Sequence, residues 1–159
     1  MAAAGFGALL LYGPERAWER VGPADLGPVN FAELDRSLSP NDALAASDGA
    51  LPSGVTPDLR LPVFQAPPSR VIAAVEDRVR TLGTDVELVA KEGHTLRYVT
   101  RSRFMRFPDT TVIEAVPVDG GTAVRAYARA TLGRSDFGAN LARLERWLGG
   151  LDLPSDGAR

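Results

Sequence analysis

Thr110-Thr-Val-Ile-Glu-Ala-Val-Pro-Val-Asp-Gly-Gly-Thr-Ala-Val-Arg-Ala-Tyr-Ala-Arg-Ala-Thr131 is the stretch that decides the fold. Two alternating runs flank Asp119-Gly120-Gly121, and an Asp-Gly between such runs is the strongest short-range hairpin signal. Alternation places Ile113 and Ala115 on one face with Val124, Ala126 and Ala128, a small apolar surface suited to receive a helix. The other face carries Val112, Glu114 and Val116 with Arg125, Tyr127 and Arg129. Apolar residues on that mixed face call for a cover or a ligand. A cover supplied by the N-terminal arm is the preferred reading, because packing explains most apolar residues on a sheet.

Working outward, Asp85–Lys91 and Thr95–Arg103 read as a second hairpin turning at Glu92-Gly93-His94. Asp58–Gln65 reads as a further strand, kept at an edge by Pro62. Between them, Ile72, Val75, Val79 and Leu82 recur at helical spacing, which predicts a helix over 70–82 with Ser69 as N-cap, Glu76 and Arg80 paired on its wet face, and Gly83 as its end. A last helix is expected from about Phe137 to Gly149, with a stripe of Phe137, Leu141, Leu144, Leu148 and Leu151 and N-cap chemistry from Ser135 and Asp136. Trp18 and Trp147 read as anchors; Trp147 falls off that stripe, and covering the arm is its preferred reading over contact with a partner or a membrane interface. No helices separate the later strands, so a parallel sheet is disfavoured. The expected fold is α+β: a curved antiparallel sheet of about five strands packed against two helices over residues 57–151, with an apolar N-terminal segment and Pro-rich arm at 1–56 and a polar, fraying tail at 152–159. Pro23, Pro28, Pro40 and Pro52 bar long regular elements from the arm. Leu26, Val29, Phe31, Leu34, Leu38 and Leu44 are anchors by which it wraps over the domain, with 46–56 its most mobile part.

The chain has 159 residues, a net charge of −2, no cysteine and one histidine. The charge makes no case for nucleic acid. The missing cysteine removes thiolate chemistry, and the single histidine (His94) removes a multi-histidine metal site. No cofactor motif is present. Ala2–Tyr12 is apolar but short of the about 20 residues that span a bilayer. A docked short helix is the preferred reading of that run, and the tail of a membrane anchor is the alternative.

Two longer stretches carry a resemblance. Arg97-Tyr-Val-Thr-Arg-Ser-Arg-Phe-Met-Arg-Phe-Pro-Asp109 and Gly133-Arg-Ser-Asp-Phe-Gly-Ala-Asn140 resemble the two signature motifs of a bacterial domain-of-unknown-function family, numbered fourteen-ninety-nine. Gly22-Pro-Ala-Asp-Leu-Gly-Pro28 and Ser39-Pro-Asn-Asp-Ala-Leu44 resemble its proteobacterial N-terminal segment. The resemblance runs from about residue 13 to 151. It implies no activity and no catalytic residues. Many members begin with membrane-spanning helices, which implies a bacterial envelope setting. Members often carry cysteines after the Asn-Asp-Ala-Leu segment, where this chain has Ala45-Ala46-Ser47, so no thiol role is implied. The order of elements from Leu61 onward is also similar to the helix-grip (START-like) layout, which implies a fold and no function.

Within these motifs the arginines are the main lead. Arg97, Arg101 and Arg103 share a strand face by alternation, Arg106 follows in the loop, Arg129 lies in the last strand and Arg134 opens the second motif. A guanidinium fork suits carboxylate and phosphate. One reading is an anion site of Arg101, Arg103 and Arg134 with Arg129. The preferred one is a structural joint in which Asp109 and Asp136, with Asn140 beside them, accept these arginines. Asp136 and Asn140 lie four residues apart without a nucleophile and base to join them, and His94 stands alone in a turn, so no catalytic residue is assigned. The expected function is a non-enzymatic, envelope-associated domain that binds a small anionic or amphiphilic ligand or a protein partner. An enzyme using the acids and arginines of 101–109 and 133–140 is the first alternative, and a purely structural module the second.

Overall fold

The computed structural model describes residues 18–36, 41–131 and 138–156. In chain order the elements are β1 (Asp42–Ser47), β2 (Leu59–Leu61), α1 (Pro68–Leu82), β3 (Val86–Glu92), β4 (Thr95–Arg101), β5 (Pro108–Val118), β6 (Gly121–Ala130) and α2 (Ala139–Leu148). They form one open mixed sheet, in the order β2-β1-β6-β5-β4-β3, with both helices on one face. The expected hairpin is its centre: Ile113 lies opposite Ala126, Ala115 opposite Val124 and Glu114 opposite Arg125. At the hairpin's start the Gly121 backbone runs so close to the Phe64 carbonyl that a Cβ would lie 2.3 Å from that oxygen. Only glycine fits where the Phe64–Thr122 bridge forms.

The sheet has six strands where about five were expected. The addition is β1, in a stretch read as part of the wrapping arm. It runs antiparallel to β6 and parallel to β2, so the sheet is mixed at that side. Asp42-Ala-Leu-Ala-Ala-Ser47 has weak strand propensity, and tertiary pairing overrides it. Small residues suit the position, since Ala43 and Ala45 pack under the helices while Leu44 and Ala46 pack on the other side.

On the helix face the core is built from Leu96, Tyr98, Ile113, Val124, Val71, Val75, Leu144 and Trp147. Trp147 is 2 % exposed and meets Tyr98 edge-on with ring centroids 5.5 Å apart, so it covers the sheet and not the arm. The reason is that α2 touches β1, β6 and α1 together, which buries a wider arc than one stripe. The terminal helix has only 10 residues, and the space between it and the sheet is filled by side chains. α1 starts two residues before the expected start at Arg70, with Pro67 and not Ser69 as its N-cap, because Pro68 fits a first turn that needs no N–H. Glu76 pairs with Lys91 on β3, and Arg80 with Asp77, in place of the expected Glu76–Arg80 pair.

The arm covers the opposite face, as expected. Phe31 is buried with Leu44, Val112 and Tyr127, and Val29 and Leu34 pack around them. The tail is tied down through Asp156: Gln65 N–H donates to the Pro154 carbonyl at 2.7 Å and Val63 N–H to the Asp156 carboxylate at 2.9 Å. The expected fraying therefore does not hold for 152–156. The arm is described from Trp18, with residues 18–19 helical. Ala2–Tyr12 lies outside the described residues. Among the described residues no helix is long and apolar enough to cross a membrane.

Candidate functional site: an arginine-lined cleft

Alternation along β4 and β5 sorts the charged residues of the first motif. Thr100 lies opposite Asp109, and both face the helices; Arg97 and Arg101 face the other way. Asp109, 8 % exposed, therefore meets α2, where the Arg143 guanidinium donates to its carboxylate at 2.8 Å. Arg143 also donates to the Asn140 side chain, whose amide donates to the Asn41 carbonyl at 3.3 Å. Among the described residues, the joint between the two motifs includes Asp109, Arg143 and Asn140. Arg143 was not singled out in the sequence. Its signal was there: it stands three residues after Asn140, within reach of the same helix face.

The arginines that were singled out are dispersed. Arg101 pairs with Glu87 at 3.3 Å and Arg106 with Asp85 at 2.8 Å. Arg103 lies beyond the end of β4, exposed, with its guanidinium 5.6 Å from the Phe104 ring centre. Arg129 holds the arm by donating to the carbonyls of Leu26 at 2.8 Å and Gly27 at 3.0 Å. Arg134, Ser135 and Asp136 lie outside the described residues. On the arm side Arg97 pairs with Asp25 at 3.0 Å, and Arg125 with Glu114 at 2.8 Å while its guanidinium sits 4.8 Å from the Phe31 ring centre. Arg36 bridges Asp42 and Asp58, and its hydrogen bond to Asp42 is the main cause of a pKa raised still further.

Two buried phenols titrate abnormally. Burial, with Glu76 adding to it, pushes the Tyr98 hydroxyl up to about 12. Burial, then the nearby Asp42 carboxylate, raises Tyr127 further, although its hydroxyl has no hydrogen-bond partner among the described residues. Both stay neutral donors at ordinary pH.

One cleft collects the basic groups. Between the end of α1, the β3–β4 end of the sheet and α2 lies a space of about 190 Å³. Arg101, Arg143 and Arg146 are among the residues that line it, with Thr84, Thr100 and Trp147, and none of the described lining residues is acidic; the Arg101 side chain turns toward Glu87 on the arm face. Arg101 and Arg143 have acidic partners outside the lining, whereas Arg146 makes no ion pair among the described residues. A cleft on the arm side has a different balance: Arg97 shares its lining with Glu92 and Glu114. Among the described residues no cluster of His, Cys, Asp and Glu is fit to hold a metal ion.

Residues 35–151 match the model of a family described as Protein of unknown function (DUF1499), and the chain belongs to that family. The comparisons with curated proteins and with solved structures gave no match.

Proposed function

We propose that this member of the DUF1499 family is a non-enzymatic binding module that takes a small anion, a phosphate or a carboxylate, in the cleft of Arg101, Arg143 and Arg146. The observation that carries the reading is the lining: Arg143 and Arg146 on α2 beside the Arg101 end of β4, with no acid among the described lining residues. Arg143 is preset by Asp109 and Asn140, so its fork is held in place before a ligand arrives. Arg146 supplies uncompensated charge. Trp147 forms part of the cleft wall and lowers the local dielectric, which strengthens each contact. The hydroxyls among the described lining residues are those of Thr84 and Thr100, and the Asp109 carboxylate opposite Thr100 is held by Arg143, which makes it a structural partner and not a base. That pairing favours recognition over chemistry.

Calorimetric titration with inorganic phosphate and with a dicarboxylate at low ionic strength tests this. Saturable binding that weakens as salt is added is expected. Titrations that never saturate with any small anion would remove the reading.

A further inference from the structure

The β4–β5 turn carries an apolar tip that the anion cleft does not use. Ser102–Phe107 closes on itself: Ser102 N–H donates to the Phe107 carbonyl at 3.0 Å, Arg106 N–H to the Ser102 carbonyl at 3.1 Å, and Phe107 N–H to the Ser102 hydroxyl at 2.9 Å. Arg106 adopts a φ of 56°, which residues with a side chain avoid. Strain of that kind persists where surrounding structure holds it. The loop's own bonds therefore fix its shape and leave Phe104 84 % exposed and Met105 39 % exposed.

Its surroundings are basic and aromatic. Arg103, exposed beside Phe104, makes no ion pair among the described residues. The Trp18 ring packs 4.7 Å from that of Phe107, and its indole N–H donates to the Met105 carbonyl. Val21, 56 % exposed, follows within one turn. Residues 1–17, which include the apolar run Ala2–Tyr12, thus join the described chain at Trp18, against this tip.

We propose that Phe104 and Met105, flanked by Arg103 and Trp18, seat the domain on the surface of an anionic lipid bilayer. An exposed aromatic beside a free cation matches an interface whose acyl boundary takes the ring and whose headgroups take the guanidinium. Trp18 presents an apolar body with a polar edge, the side chain favoured at that depth. An exposed ring and an exposed methionine beside a cation suit a deformable anionic surface better than a closed apolar groove. The tip stands apart from the anion cleft: Arg143 and Arg146 take no part in it.

The chain has no cysteine, so a single Phe104→Cys variant of the full chain accepts one environment-sensitive fluorophore at the apex. A matched label at Asp48→Cys, at the opposite end of the sheet, is the reference. With vesicles of phosphatidylcholine and phosphatidylglycerol, the label at position 104 is expected to shift to the blue and brighten, and the label at 48 to stay unchanged. Vesicles of phosphatidylcholine alone, or the added change Arg103→Glu, are expected to reduce the shift. In the unlabelled chain, Phe104→Ser with Met105→Ser is expected to weaken vesicle partition about tenfold. A label at 104 that remains in water overturns the proposal, even when the chain pellets with vesicles, because the N-terminal run would then act alone. A response to a protein partner but not to vesicles overturns it equally.

Discussion

Arginines do different work on the arm side of the sheet and at the α2 cleft. On the arm side each is consumed. Arg97 holds Asp25, Arg125 holds Glu114 and lies against Phe31, and Arg129 takes the arm's carbonyls. These groups fasten an irregular, proline-rich segment whose backbone needs partners. At the cleft, Arg143 is also fixed, by Asp109, but beside it Arg146 lines a space with no acid among its described lining residues. Arginines thus build a closed seam in one region and a cleft with an uncompensated cation in the other. What separates them is where the carboxylates lie.

Four perturbations break or sharpen that comparison, taken from the largest expected effect. Asp109→Ala leaves the Arg143 guanidinium half-buried and unmatched at the joint of the two motifs. A loss of about 3 kcal/mol is expected in urea unfolding. A loss under about 0.5 kcal/mol would mean that Asp109 and Arg143 behave as an ordinary surface pair.

Arg129→Ala strips the donor from the arm's carbonyls, and a loss of about 1–3 kcal/mol is expected. Faster proteolysis within residues 22–34 should accompany it, with phosphate affinity unchanged. A fall in phosphate affinity as large as that of the cleft variants would erase the distinction between the two regions.

The buried phenols set a third, smaller effect. The folded state holds the Tyr98 and Tyr127 protons to higher pH than the unfolded chain, whose phenols ionise near pH 10. Above that pH the unfolded chain has lost protons that the fold retains, so stability falls as pH rises from about 10 to about 12. Tyr98→Phe is expected to flatten part of this fall, with little stability change at neutral pH, because its hydroxyl is unpartnered among the described residues.

Much of the helix face was legible from the sequence, because Asp119-Gly120 and strict alternation determine both the hairpin and its faces. β1 was not, because Asn41-Asp42 reads as a turn and a run of alanines carries little strand signal. Its place depends on β2 and β6, which lie far away in the chain. Trp147 was misplaced because one stripe was counted on a helix that packs against two layers. For the candidate site, alternation showed that Arg97 and Arg101 share a face, and the same rule separates them from Asp109. Arg143 and Arg146 passed as ordinary wet-face residues of a short helix. Only the packing of α2 over the end of β4 and β5 turns them toward a common space, and no local pattern encodes that contact.

The smallest effect on stability belongs to the residue most closely tied to the central claim. Arg146→Ala, at an exposed position without an ion pair among the described residues, should change stability by less than about 0.5 kcal/mol. The direct test is a calorimetric phosphate titration of Arg146→Ala beside Arg129→Ala and the unchanged chain. The expected result is a phosphate affinity about tenfold weaker for Arg146→Ala, the loss of one charge-assisted contact, and an unaltered affinity for Arg129→Ala. Equal affinity in all three proteins would contradict the account.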